Sequence, residues 1–325
     1  MELKSNLRNK KIKIFFMGTP GFAADILKNL IEANFNVAAI STQPDKKAGR
    51  KQKVLTSPVK KLAEQKKIKV FQPENLRDEK TVEEIKKINP DVIVVAAYGK
   101  ILPMEILRIP PFGCLNIHAS LLPKLRGASP VQNAILQGGK KTGVTLMLMN
   151  EGVDTGDILA QEKVIIKSED TAETLLNKLS VLGGKMLVKH LPRWISGKIK
   201  PKPQDNKKAS YCQLIKKSDG KIDWTQSAQE IYDRWRAFYL WPGIHSLINI
   251  NGQLKKIKLL RVSINPKLSL EKRPGKILKH KEKIAVQAKR GVVFLEEVQL
   301  EGKKKVSIQD FIRGYPNFIG SKFSQ

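Results

Sequence analysis

Acidic side chains are scarce in this chain. Thirty Asp and Glu stand against sixty Lys and Arg, which leaves a formal net charge of +30 over 325 residues. An excess of that size points either to a polyanionic partner or to a lysine-rich solvated surface. Cysteine is nearly absent: Cys114 and Cys212 alone give neither a disulfide framework nor a zinc motif, and a reducing, cytoplasmic setting is expected. No apolar stretch, Asp91–Ala97 included, approaches the roughly 20 residues that span a bilayer, so no membrane association is expected. The opening MELKSNLRNKKIKIFFMG mixes acid and base and is unlike a signal or transit peptide. What is present is a hydrophobic share of 41%, enough to fill the cores of two domains.

The charge is unevenly spread. Residues 201–325 carry 26 Lys and Arg against 11 Asp and Glu, net +15, while the longer 1–200 stretch reaches the same net charge from 34 and 19. The C-terminal part is the denser cationic surface. Over residues 1–200 strand and helix patterns alternate. Ile12–Met17 is a continuous apolar run, followed by a turn and by Phe22, Ile26, Leu27, Leu30 and Ile31 at helical spacing. Asn36–Ser41, Lys69–Phe71, Asp91–Tyr98, Leu115–His118 and Val144–Met149 read as strands, and Thr81–Ile88 as a helix stopped by Pro90. Asp170, with Glu173 three residues on, reads as the cap of a later helix. This alternation predicts an α/β, doubly wound, Rossmann-like domain with a mainly parallel sheet. The break-rich Lys198–Ser210 stretch predicts a linker over residues 201–212. Residues 213–325 then read as a helix at Ala228–Phe238 followed by strands at Lys256–Ser263, Gly275–Leu278, Lys283–Ala288 and Gly291–Leu300. That pattern predicts a smaller antiparallel β-barrel, OB-like, whose basic strands suit nucleic acid among many other uses.

Gly18-Thr19-Pro20-Gly21 after the first strand is not GxGxxG and reads as a tight turn rather than a dinucleotide loop. Chemistry concentrates in Gly113–Gln132. Asn116 and His118, two apart on one strand, share a face at the strand end where open α/β sheets place ligands. A lone histidine is usually structural, but this one has a polar neighbour on its face and a Gly/Ser/Pro-rich loop behind it. Ser120, Leu121, Leu122 and Pro123 offer backbone amides and an apolar wall to a flat ligand. Asp154, between Gly152 and Gly156, is either a turn former or a partner that folds back towards His118. An Asn, a His and an Asp in one cleft would stabilise an oxyanion, shuttle a proton and orient the imidazole. A non-enzymatic RNA-binding protein would need none of the three.

Asn116-Ile117-His118, then Ser120-Leu121-Leu122-Pro123 and Arg126-Gly127, then Asp154-Thr155-Gly156-Asp157-Ile158-Leu159 beginning 36 residues after the histidine, resembles the shared signature of the folate-dependent formyltransferases. GTPGFA, the loop Thr42–Lys60 and a tail containing PQDNKKASYCQLIKKSDGKIDW and WPGIHS are similar to the branch of that family acting on charged tRNA. The likeness runs over almost the whole chain; Ala119 and Leu125 fall at variable positions, and the first ten residues are extra. The resemblance implies 10-formyltetrahydrofolate as donor, held beside Tyr98, Ser120, Leu121, Leu122, Pro123, Gly152, Val153 and Gly156, with no metal and no stable protein partner. The implied acceptor is the α-amine of initiator methionyl-tRNA, as used in translation initiation; a small amine is the alternative within the same fold. His118 would be general base and oxyanion contact, Asn116 the oxyanion donor, and Asp154 would orient His118 and relay protons. Lys46, Lys47, Arg50, Lys51 and Lys53, around Gly49, would meet the tRNA, although any lysine-rich loop has this composition. Trp224, Arg234, Trp235, Arg236 and Trp241 are candidates for stacking on RNA, with Trp235 equally suited to a core.

If Arg50 serves the acceptor alone, Arg50→Ala lowers kcat/KM for charged tRNA and leaves KM for the formylated folate nearly unchanged. Lysine rescues only in part, because a point charge lacks the guanidinium fork. Equal effects on both substrates in steady-state kinetics would refute this assignment.

Overall fold

The computed structural model describes residues 11–48 and 53–324. They form two compact units. The first takes the described residues up to Pro130 together with Lys141–Ile165 and Leu176–Cys212; the second takes Val131–Lys140, Ile166–Leu175 and the described residues from Gln213 onward.

The strands of the first unit, in chain order, are β1 (Lys13–Gly18), β2 (Asn36–Ser41), β3 (Lys46–Ala48), β4 (Lys53–Leu55), β5 (Lys69–Phe71), β6 (Val92–Ala96), β7 (Cys114–His118), β8 (Arg126–Gly127), β9 (Lys141–Leu148), β10 (Ile158–Ile165) and β11 (Tyr211–Cys212). Seven make one sheet, ordered β10-β9-β7-β6-β1-β2-β5. β5, β2, β1, β6 and β7 run parallel. Every residue of β6 is buried, as a parallel strand covered on both faces must be. From β1 the chain builds outward to β2 and β5, then restarts at β6 on the other flank. The order therefore reverses between β1 and β6, the crevice where doubly wound sheets bind ligands. The parallel part is the Rossmann-like sheet expected; β9 and β10 extend it as an antiparallel edge.

The helix Ala172–Ile195 begins later than an Asp170 cap would have it. Thr171 is the capping residue: Thr171 N–H donates to the Thr174 hydroxyl at 3.0 Å and Thr174 N–H to the Thr171 hydroxyl at 3.3 Å. Asp170 instead closes the preceding turn, accepting Lys167 N–H at 2.8 Å.

The second unit contains β12 (Ile244–Ile250), β13 (Gln253–Asn265), β14 (Ile277–His280), β15 (Lys283–Gln287), β16 (Val292–Leu300) and β17 (Lys305–Ser307). Their order is β12-β13-β16-β15-β14, all antiparallel, with β17 added to β16. Residues 320–324 join the two edges: Ser324 N–H reaches Leu247 O on β12 at 2.8 Å, and Ile277 N–H on β14 reaches Ser321 O at 3.0 Å. This is the antiparallel barrel. β12 escapes a reading by periodicity because polar Ser246 takes an inward position among Ile244, Ile248 and Ile250, and there it accepts the Trp224 indole N–H at 3.0 Å.

Two of the proposed RNA-stacking residues belong to the core. Trp224 is wholly buried and stacked on Phe323 at 5.3 Å between centroids. Arg236 is buried, paired with Asp233 at 2.6 Å and donating to Asp170 O at 2.9 Å. Trp235 is half-buried against Tyr232, while Trp241 stays exposed. A helix face and a barrel plug draw on the same aromatic and cationic residue types as an RNA platform, so composition alone did not separate them.

Gly183 lies inside the helix Ala172–Ile195, where glycine costs about 1 kcal/mol relative to alanine. A Cβ there would stand 2.9 Å from Ile117 Cγ2 and 3.5 Å from Val144 Cγ1, so the helix lies directly on β7 and β9. Gly183→Val is expected to overpack this contact and cost about 1–3 kcal/mol. The measure is the urea midpoint at unchanged m-value; a midpoint at or above wild type would mean that the helix can stand off the sheet freely.

Candidate active site

β7 alternates. Leu115 and Ile117 are buried, with Ile117 turned to Gly183, and Asn116 and His118 share the opposite face. Beyond His118 the loop Ser120–Gly127 is tied down by its neighbour in the sheet, Thr145, which is the register partner of His118. The Thr145 hydroxyl donates to Ser120 O at 2.6 Å and accepts Leu122 N–H at 3.1 Å. Gln161 Nε2 donates to Leu122 O at 2.8 Å and to the Thr145 hydroxyl at 2.9 Å.

Asp154 arrives from an unpromising direction. β9 is antiparallel to β7 with Leu148 opposite Leu115, so the chain leaves the sheet at the end remote from His118. It returns through a turn in which the Asn150 side chain accepts Gly152 N–H at 3.1 Å and the Thr155 hydroxyl at 2.7 Å. Asp154 adopts a left-handed backbone, φ +52°. Its Oδ2 accepts Gly127 N–H at 2.8 Å and faces His118 Nδ1 at 3.5 Å, while Oδ1 receives Asn116 Nδ2 at 3.4 Å. Gly127 makes its contact possible: its φ is +109°, and a Cβ there would run into the Cys212 carbonyl.

The imidazole is buried and its nitrogens have separate duties. Nε2 lies 2.9 Å from Leu125 O; a carbonyl only accepts, so Nε2 carries the proton. The tautomer is thus set by Leu125, and the basic nitrogen, Nδ1, looks onto Asp154. A proton taken at Nδ1 gives an imidazolium with an acceptor at each end. Asn116 keeps a second amide N–H beyond the one directed at Asp154, available to a developing oxyanion. Cys114 is no competing nucleophile, since burial pushes its thiol up to about 12. Among the described residues, no group of three or more His, Cys, Asp or Glu is placed to hold a metal ion.

The remaining site candidates are scattered. Ser120 and Leu122 are buried and occupied in holding the loop; Leu121 and Pro123 are half-buried. Gly152 and Val153 are exposed at the tip of the Asp154 turn, and Gly156 is buried at its base. Tyr98 enters as core: it is 2% exposed and its hydroxyl bonds Ser41 Oγ at 2.9 Å, so no phenol face is offered to a ligand. Burial also raises its pKa. Lys46 is exposed at the root of the β3–β4 hairpin, to which Lys47 and Lys53 contribute backbone. Arg50 and Lys51 lie outside the described residues.

Two participants escaped the sequence. Arg126 is 1% exposed and directs Nε and Nη2 to Gln204 Oε1 at 3.1 and 2.8 Å. Gln204 Nε2 in turn donates to Asp154 O at 2.9 Å and Gly156 O at 2.7 Å. Arg126 stands within the signature segment, which was the available signal; Gln204 sits in the stretch with linker composition, where nothing but its place between prolines and a turn marks it.

Comparison with known proteins identifies the family. Residues 10–191 match the model of a family described as formyl transferase, and residues 214–316 match that of the formyl transferase C-terminal domain. The chain is 48% identical over 305 residues to the methionyl-tRNA formyltransferase of Caldicellulosiruptor saccharolyticus, covering 93% of this chain and 96% of that protein. It is 43% identical over 315 residues to that of Sulfurihydrogenibium sp., covering 96% and 100%. Among solved structures, an N-formyltransferase from Helicobacter canadensis shares the fold, with a TM-score of 0.64 at 21% identity over 87% of this chain and 98% of that one. The chain belongs to the formyl transferase family.

Proposed function

We propose that this protein is a methionyl-tRNA formyltransferase, carrying the formyl group of 10-formyltetrahydrofolate to the α-amine of initiator methionyl-tRNA in the cytoplasm, for translation initiation. One observation carries the reading: a chain 48% identical to a methionyl-tRNA formyltransferase across almost its full length brings an Asn, a His and an Asp onto one face of β7.

The amine attacks the formyl carbon as its neutral form, making a C–N bond and an oxyanion. Asn116 Nδ2 donates to that oxygen. His118 Nδ1 takes the proton that the amine loses, and Leu125 O and Asp154 stabilise the resulting imidazolium. Collapse breaks the bond from the formyl carbon to N10 of the folate, and N10 receives the proton. The apolar edge of Leu121, Pro123 and Val153, with the amides of the Asp154 turn, is suited to the flat pterin. The acceptor's polyanion fits the second unit, where burial, then Lys256, Lys258, Lys221 and Lys217, depress the His245 pKa, a sign of dense positive potential. No helix among the described residues is long and apolar enough to cross a membrane.

The direct test supplies 10-formyltetrahydrofolate with charged initiator tRNA. Formylmethionyl-tRNA is the expected product; formylation of a nucleotide-linked amino sugar in its place would overturn the reading. His118→Ala and Asp154→Ala are expected to lower kcat by roughly 10²–10⁴-fold, and Asn116→Ala by roughly 10²–10³-fold, in folded protein. A His118 variant with wild-type turnover would remove the base from this scheme. Binding of tRNA should weaken steeply with salt, log K falling by about 0.7–0.9 per unit of log salt for each phosphate neutralised. A flat salt dependence in equilibrium titrations would make the +30 charge a solvated surface only.

A further inference from the structure

Asp154 is a non-glycine residue in a left-handed conformation, at the tip of a turn that has doubled back across the sheet. Such a backbone costs on the order of 1 kcal/mol and holds only where its surroundings over-determine it. Its side chain is held by Gly127, His118 and Asn116, and Asn150 ties Gly152 and Thr155 on either side of it. Its own carbonyl is bonded by Gln204. The Gln204 amide has all four of its hydrogen-bonding positions filled: Nε2 donates to Asp154 O and Gly156 O, and Oε1 accepts Arg126 Nε and Nη2. Because the guanidinium can only donate, it fixes which end of the amide faces the turn.

Arg126 is itself buried, and its partners are neutral oxygens: Gln204 Oε1, Asn206 Oδ1 at 2.8 Å and the Tyr211 hydroxyl at 3.2 Å. The stretch that carries these groups is stitched to the catalytic loops at both ends. Lys202 exchanges backbone bonds with Ile158 at 2.8 and 2.9 Å, while Ser210 O accepts Arg126 N–H at 2.8 Å and the Ser210 hydroxyl accepts Leu125 N–H at 3.0 Å.

We propose that Gln204, oriented by the buried Arg126, is a positioning residue of the active site, holding the Asp154 turn so that its carboxylate reaches His118 and Asn116. The stretch with linker composition, which lies within the first unit, is in this sense part of the catalytic apparatus. The proposal rests on the formyl-transfer reading for its kinetics, and on geometry alone for its structural arm.

The test uses full-length Gln204→Glu and Gln204→Leu. A glutamate still accepts from Arg126, now with charge assistance, but donates nothing to Asp154 O or Gly156 O. Q204E should therefore unfold at or near the wild-type temperature while kcat for formyl transfer falls about 10–100-fold with a smaller change in KM, the scale of loss typical when a supporting contact is removed. Q204L should lose both activity and thermal stability. In an Asp154→Ala background Q204E should cost almost nothing further, because the residue acts through Asp154. Wild-type kcat in Q204E, or a double variant whose loss is the product of the single losses, would overturn the proposal. A crystal structure of Q204E tests the same point without substrate: the carboxylate of Asp154 should withdraw from Gly127 N–H, and an unchanged turn would refute the positioning role. A wild-type protein that formylates no methionyl-tRNA would instead refute the functional reading, leaving the structural arm to decide this one.

Discussion

The carboxylate of Asp154 meets Gly127 N–H at 2.8 Å and stands 3.4–3.5 Å from Asn116 Nδ2 and His118 Nδ1, and each of these groups reaches it from a different part of the fold. Asn116 and His118 come from the middle and end of a parallel strand, Gly127 from the loop beyond it, and Asp154 from a turn off an antiparallel neighbour. A longer hydrogen bond to Asn116 than to Gly127 indicates which contact sets the carboxylate's position and which one it serves. The backbone amide is the anchor. The longer approach to Nδ1 and Nδ2 leaves those atoms with hydrogen-bonding capacity to spare.

Much of this was legible in the residues. Asn116 and His118 had to share a face because strands alternate, and β1 and β6 read clearly because a parallel strand covered on both sides leaves an unbroken apolar run. What stayed hidden has a common physical cause. The Thr171 cap, the buried Arg126 and the Gln204 amide are polar groups satisfied by partners far away in sequence or by competing neighbours, and periodicity carries no trace of such partners. β12 was hidden for the same reason, its inward Ser246 being bonded to Trp224. Leu125 is the sharpest case: it entered as a variable position, yet its carbonyl selects the imidazole tautomer, a task that its side chain does not influence.

Charge and chemistry are divided differently along the chain. Among the described residues, the His118 ring meets one neutral carbonyl, Leu125 O, and one carboxylate, that of Asp154. The cationic excess is split equally between residues 1–200 and 201–325, and is therefore denser along the shorter second stretch.

The way the barrel is closed has a bearing on how it is made. β12 and β14 are the two edges of the path, and the residues that join them, 320–324, come more than seventy positions after Leu247. On the ribosome β12 can pair with β13 as soon as both have emerged, and Ile222, already made, reaches His245 O at 2.9 Å on its other edge, but Leu247 O waits there until residues 320–324 have been added. Throughout that interval β12 keeps a partly open edge, the kind that recruits other chains. The lysines of β13 stand beside it, and their mutual repulsion discourages a second copy from docking while translation finishes.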